Sequence, residues 1–486
     1  MSVDLTRRLF LRLLGVVYLA AFASLDWQVD GLLGPDGVLP ADAYLARVAS
    51  ALGDAVGSRV PTVFWLDAGP GSLHLVCRAG IALALLLVAG LVPLVALALL
   101  WALYLSLVAV GQTFLSYQWD ALLLETGFLA IFWAPLAWRL DAPSARAPSP
   151  IVLWLLRWLA FRLMFFSGWV KLASGDPAWW SLDALSFHYE TQPLPAWTSW
   201  YAHQLPAWLQ RLSCAWMFVV ELALPPLIFL GRVPRLVACA GLVALQLLIA
   251  ATGNYGFFNL LSIVLCVPLL DDGWLARIWP RRRGSRGPRR AERRWKIALD
   301  GLVAGLLLAL SVPLSFAQGF GVPATAAPPV ATLARALAPY HLVSSYGLFA
   351  VMTTSRPEIV LEGTTDGVEW RPYVFRWKPG PLARAPSFAG TNMPRLDWQM
   401  WFDALYLERM LASGRTSARL VTPALLARLR EASPAVLALL AEDPFHGRRP
   451  RELRWRLWDY AFTDFAERRT TGDWWRRSLL YDERRG

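Results

Sequence analysis

The chain has 486 residues, 56% of them hydrophobic and 26 of them tryptophan, with a mean hydropathy of +0.41. Soluble domains are about 45–50% apolar, and several runs here approach the roughly 20 residues that a helix needs to cross a bilayer; a wholly soluble protein is excluded. The net charge of +12 is no nucleic-acid signature, because residues 277–296 alone carry ten Arg or Lys against Glu292, as a cytoplasmic loop does under the positive-inside rule.

In chain order, Arg7-Arg8 precede an apolar run from Leu9 to Leu25, read as an uncleaved first span rather than a signal peptide with Ala21-Phe22-Ala23 as its cleavage site. About nine spans are expected, near 9–25, 75–92, 94–111, 119–137, 151–171, 213–230, 236–252, 256–270 and 297–317. With the N-terminus inside, segments 1–8, 138–150, 231–235 and 271–296 are cytoplasmic and carry Arg7, Arg8, Arg139, Arg146, Arg232, Arg235 and the arginine-rich loop. Segment 26–72, on the other side, carries Asp26, Asp30, Asp36, Asp42, Asp54 and Asp67 and only two arginines. This asymmetry favours an odd number of spans and an extracytoplasmic C-terminal domain.

The division expected is a multispan helical domain over 1–317, an Ala/Pro-rich linker over 318–339 and a soluble domain over 340–486. In the last, Leu348–Met352 and Pro357–Glu362 read as strands, and Thr365-Asp366-Gly367 as a turn into Val368–Trp377. Asp397–Met410 reads as an amphipathic helix, 423–441 as a helical pair broken near Pro434, and Leu453–Phe462 as a strand-like stretch. The fold class expected is a polytopic α-helical bundle followed by an α+β or β-sandwich-like domain.

Ionisable residues inside apolar runs cost several kcal/mol unless paired or hydrated. Counting helical rise from the outer edge puts Glu125 about 9 Å deep, Arg162 about 14 Å and Glu221 about 12 Å. The matching depths predict a cluster Glu125–Arg162–Glu221 with a pair Asp120–Lys171 above it, fixing helix register or lining a cavity. Arg157 lies nearer the inner face and snorkels. A second polar concentration lies in the outer loop: His188, Tyr189, Glu190 and His203, with Asn254 in a bend at the same face. His188 and Glu190 at i, i+2 are weak evidence for a metal, and no cofactor or metal is expected.

The four cysteines (Cys77, Cys214, Cys239, Cys266) lie in apolar runs with no CxxC, so neither a disulfide framework nor a dithiol site is indicated. No GxSxG, HExxH or P-loop occurs, and the loose GxGxxA at 319–324 lies in the linker without a preceding strand. Only three of the 47 basic residues are lysine, a usage that suggests a GC-rich bacterial genome.

Several long stretches are familiar in order: QWDALLLETGF at 118–128, RWLAFRLMFFSGWVKLASGDPAWW at 157–180, FHYETQPLPAW at 187–197, TGNYGFFNLLSIVLC at 252–266, YGLFAVMTTSRPEIVLEGTTDGVEW at 346–370 and RLDWQMWF at 395–402. With these the chain resembles the lipase maturation factor family over nearly its whole length. The resemblance implies a multi-pass protein, of the endoplasmic reticulum membrane in animals and of the inner membrane in a bacterium. It implies a chaperone-like role in folding and assembly of secreted lipases, without catalysis, with membrane lipids and an exported client as partners. On that reading Trp398, Trp401, Trp474 and Trp475 are candidate client contacts, the alternative being that they are core. The outward-facing segments carry no cysteine, so a family role using lumenal thiols is not expected here. A more distant likeness to the vitamin K-dependent carboxylase membrane domain leaves an alternative, an integral-membrane enzyme acting on a lipid or quinone-like substrate.

Overall fold

A computed structural model describes residues 3–53, 56–142, 147–278, 294–320, 328–414 and 420–483. Asp54, Arg146, most of the arginine-rich loop and most of the GxGxxA match lie outside the described residues.

Among the described residues seven helices are long and apolar enough to cross a membrane: Asp4–Asp26, Pro70–Ala89, Pro93–Val110, Pro150–Ala173, Ala207–Phe229, Arg232–Thr252 and Arg294–Gly319. The expectation of nine is corrected by two. The helix Gln118–Trp133 has 16 residues, about 24 Å of rise against a hydrocarbon core of about 30 Å. The helix Phe257–Cys266 runs on through one 3-10 turn to Leu269 and is shorter still. Most residues of both are buried against neighbouring helices; their apolar character serves protein packing rather than lipid contact, which hydropathy does not distinguish. Prolines and glycines set the boundaries: the Pro70 helix stops at Gly90, whose φ of 79° lets its N–H close back on Leu86 and Leu87, and Pro93 starts the next helix at its first position.

The segment expected as linker is partly helical. The Arg294 helix continues to Phe320, with Pro313 inside it, and a second helix spans Pro328–Leu337. Beyond it the chain forms a small mixed β/α region rather than a sandwich. One antiparallel sheet has the order β2-β1-β5-β6, with β1 Pro357–Thr364, β2 Arg371–Pro372, β5 Glu452–Phe462 and β6 Trp475–Asp482. A second pairs β3, Val374–Phe375, with β4, Leu440–Glu442. The amphipathic helix runs Arg395–Ser413 and packs on β1. The pair near Pro434 comprises Thr422–Arg430 and Pro434–Leu437. The turn at Asp366-Gly367 forms, with Gly367 at φ 82° and Asp366 accepting from the N–H groups of Val368 and Glu369.

Leu348–Met352 is not a strand. Its backbone groups are used by the helical part instead: Trp179 Nε1 donates to the Phe349 carbonyl at 3.0 Å, and the Met352 N–H donates to Asp176 Oδ2 at 2.6 Å. A strand ladder would need those same groups.

The β/α region sits on one end of the bundle. Ser24 and Gln28, at the end of the Asp4 helix, bond to Met393 and the Arg395 N–H. The short helix Val29–Leu33 packs on Pro434–Leu437 so closely that a Cβ at Gly31 would lie 2.4 Å from the Ala435 carbonyl oxygen. Because that neighbour is backbone, Gly31→Val is expected to lower stability by about 1–3 kcal/mol and to raise protease sensitivity of residues 342–483, whereas Gly57→Val, with open space around it, leaves both unchanged; limited proteolysis in detergent measures this.

Candidate functional site

The polar interior resolves into four nodes. In the first, Asp120 is fully buried and pairs with Arg395, at 2.8 and 2.9 Å to its two carboxylate oxygens, while Tyr104 Oη donates to Asp120 Oδ1 at 2.5 Å. Arg395 also donates to the Phe114 carbonyl at 2.6 Å. The expected Asp120–Lys171 pair is therefore corrected. Asp120 stands in the first turn of its helix, beneath the β/α region, and that region supplies its cation.

In the second node Arg162 Nη1 lies 2.6 Å from Glu125 Oε1 and Arg162 Nε donates to Ser315 Oγ at 3.2 Å. The other oxygen of Glu125 accepts from Tyr346 Oη at 2.7 Å and the Ser344 N–H at 3.0 Å, and Arg162 donates to the Ser344 carbonyl. Glu221 is not part of this cluster, as the depth argument had it. It pairs with Lys171, Nζ to Oε2 2.7 Å, and both are buried. The reason is local: Glu221 lies in a π-helical turn, Val219–Ala223, and Gly168 lets that turn approach the Pro150 helix.

The fourth node was not singled out from sequence. Arg356, 1% exposed, donates to the carbonyls of Glu190 at 2.6 Å, of Gln192, and of Pro193 at 2.9 Å, and pairs with Glu358 at 2.8 Å. Lys378 pairs with the second oxygen of Glu358 at 2.8 Å. A guanidinium that gathers three carbonyls folds the outer loop onto the β/α region. The signal available was an arginine directly before an apolar strand, in SRPEIVLEG at 355–363.

The outer-loop candidates do not converge on one centre. His188 Nε2 lies 3.3 Å from Tyr255 Oη; burial, with Lys171 nearby, pushes its pKa down to about 4, so the ring is neutral near pH 7. Glu190 points elsewhere and accepts the Phe462 N–H at 3.0 Å, with His203 Nε2 3.7 Å away. Asn254 bonds to the backbone of Leu194, Ser387 and Ala389, another strut between the two parts. Among the described residues no group of three or more His, Cys, Asp or Glu could hold a metal ion.

Of the two readings of the four tryptophans, the positions fit the core one. Trp398, Trp401 and Trp475 are buried, and Trp474 is half-buried with the Arg468 guanidinium 3.5 Å over its ring. They fill the joint: Trp398 lies edge-on to Trp119, with centroids 4.8 Å apart, and Trp474 lies 5.6 Å from Trp200.

Tyr189, His188, Lys171 and Glu221 meet at one feature, a cavity of about 620 Å³ between the Pro150, Ala207, Arg232 and Phe257 helices. Glu125 and Arg162 are not on its wall.

Two family models match the chain in order. One described as the lipase maturation factor transmembrane domain covers residues 5–277, and one described as the lipase maturation factor C-terminal domain covers residues 342–483. The chain belongs to the lipase maturation factor family. It is 36% identical to human lipase maturation factor 2 over 98% of its own length and 82% of the relative's. The same protein of Gallus gallus is 36% identical, with 98% and 80% covered, and lipase maturation factor 1 of Bos taurus is 35% identical, with 98% and 88% covered. No solved structure matches. In this lipase maturation factor chain, Asp120–Arg395 and Glu125–Ser344 join the range of one family model to that of the other.

Removing one partner of a buried ion pair costs about 3–5 kcal/mol, whereas replacing both by apolar groups is often near neutral. Arg395→Met is therefore expected to lower the unfolding temperature sharply and Asp120→Leu/Arg395→Met to recover part of the loss, read by thermal unfolding of the detergent-solubilised chain.

Proposed function

We propose that the chain is a membrane-anchored maturation factor that assists an exported lipase or a similar secreted protein, acting without catalysis of its own. The observation that supports it is the near full-length similarity, in both parts and in order, to proteins named lipase maturation factor 1 and 2. Membrane lipids surround the bundle, and the β/α region receives the client. The charge asymmetry supports an orientation with the N-terminus cytoplasmic and the β/α region beyond the membrane, in the inner membrane of a bacterial cell. The short helices Gln118–Trp133 and Phe257–Leu269 lead from the β/α end of the bundle to its other end, since Tyr117 bonds Gln399 and Asn254 bonds Ser387 while Asp272 accepts the Leu5 N–H beside the N-terminus.

The platform matters for how a client is held. The tryptophans first considered for contact are committed to the joint, so the client surface is the part of the β/α region that faces away from the bundle. Truncation at the linker is a poor test, because it would strip partners from Asp120 and Glu125. The test uses the full chain: a strain lacking it is expected to lose most of its secreted lipase activity with transcript unchanged, to regain it on complementation, and to yield the lipase as a co-purifying partner. Unchanged lipase activity in the deletion strain overturns the reading. The orientation is checked separately with a phosphatase reporter fused at the C-terminal end, expected to be active beyond the membrane.

A further inference from the structure

The cavity between the Pro150, Ala207, Arg232 and Phe257 helices has the size of a small-molecule site, about 620 Å³ against roughly 300–1,000 Å³ for typical ligand pockets. Its wall is mostly aliphatic and aromatic, with a few polar groups gathered among them. Lys171 and Glu221 face each other at 2.7 Å, Asn259 donates to Gln246 at 2.8 Å, and Tyr255 donates to Gln192 Oε1 at 3.1 Å beside His188. This buried pair carries a desolvation cost and, unlike the Glu125–Arg162 pair, lines open volume.

The backbone is shaped to put it there. Glu221 sits in the π turn Val219–Ala223, and π turns inside α-helices occur frequently at functional sites. A Cβ at Gly168 would lie 2.8 Å from the Cβ of Glu221, so the glycine is what admits the turn. The Ala207 and Arg232 helices meet through this turn and the 3-10 segment after it, where Gly241 takes the Leu224 side chain. Nearer Ala207 they line the cavity instead. The rim there carries Leu212 and Leu248, 58% and 55% exposed on helices of membrane-spanning length. An apolar rim on spanning helices opens sideways, into the hydrocarbon.

The chemistry of the lining selects the occupant. Lys171 is the one Lys or Arg among the described lining residues, and Glu221 already neutralises it. A phosphate or carboxylate headgroup would meet no free cation, whereas a hydroxyl or ester carbonyl finds donors and acceptors in Lys171, Glu221, Gln246 and Asn259.

We infer that this cavity is a binding site for a neutral single-chain lipid of monoacylglycerol type, entered from the bilayer between the Ala207 and Arg232 helices. The polar head lies at the Lys171–Glu221 and Gln246–Asn259 pairs, and the chain runs among Leu209, Leu245 and Leu248 to the rim. This site is separate from the client-holding surface and does not depend on that reading.

The test is photolabelling of the full chain in nanodiscs with a diazirine analogue of monooleoylglycerol, followed by peptide mapping. Saturable labelling is expected on peptides spanning 163–171, 209–221 and 245–259, competed by unlabelled monooleoylglycerol and not by dioleoylphosphatidylglycerol. Leu245→Trp, which fills the cavity, is expected to reduce labelling at least tenfold with the unfolding temperature little changed. Where that variant does not fold, the competition on the unaltered chain decides. Labelling that does not saturate, that spreads evenly over the seven spanning helices, or that phosphatidylglycerol competes equally well overturns the proposal, as does a folded Leu245→Trp chain that labels like the original.

Discussion

Three arginines buried to within 2% of full occlusion, Arg162, Arg356 and Arg395, hold this molecule together, and each has partners on the other side of the joint between bundle and β/α region. A guanidinium cannot be deprotonated inside a protein and presents five donors in a fixed fork. Burying one thus demands acceptors at set positions. Here these are the Asp120 carboxylate for Arg395 and, across the joint, main-chain carbonyls for Arg162 and Arg356. The joint is specified by geometry as well as by apolar area, and its aromatic filling, Trp119 on Trp398 and Trp200 on Trp474, excludes the water that would weaken those contacts.

The bundle therefore contains two kinds of buried charge. Asp120 and Glu125 are saturated, each carboxylate taken up by an arginine and a tyrosine hydroxyl, and neither lines the cavity of about 620 Å³. Lys171 and Glu221 form a simpler pair that borders open volume. The first kind fixes how elements sit; the second leaves hydrogen-bonding capacity facing a space.

Much of the architecture was legible because hydropathy and charge record membrane partition directly. The seven long helices, the Asp-Gly turn and the Arg395–Ser413 helix were all marked by local pattern. The Glu125–Arg162 contact followed from depths that differ by no more than an arginine side chain spans, since helical rise converts sequence offset into height. What failed has two causes. Depth says nothing of azimuth, and it sees only charges borne on spans, so Asp120 was matched with Lys171 when its partner arrives from 275 residues away. Gln118–Trp133 and Phe257–Leu269 were counted as spans because hydropathy does not say whether the apolar neighbour is lipid or protein. Composition likewise left the tryptophans open between client contact and core, because a ring that suits a client also suits the chain's own second part.

The carboxylate of Glu125 is placed in the first third of the chain, yet Ser344 and Tyr346, which complete its shell, come more than 200 residues later. During synthesis the ribosome will have delivered most of the helices before that shell can close. The nascent bundle is thus held with an unfinished polar seam until translation is well past residue 346, and Asp120 waits longer still, for residue 395. A protein that belongs to a family concerned with the maturation of others has a late checkpoint in its own biogenesis.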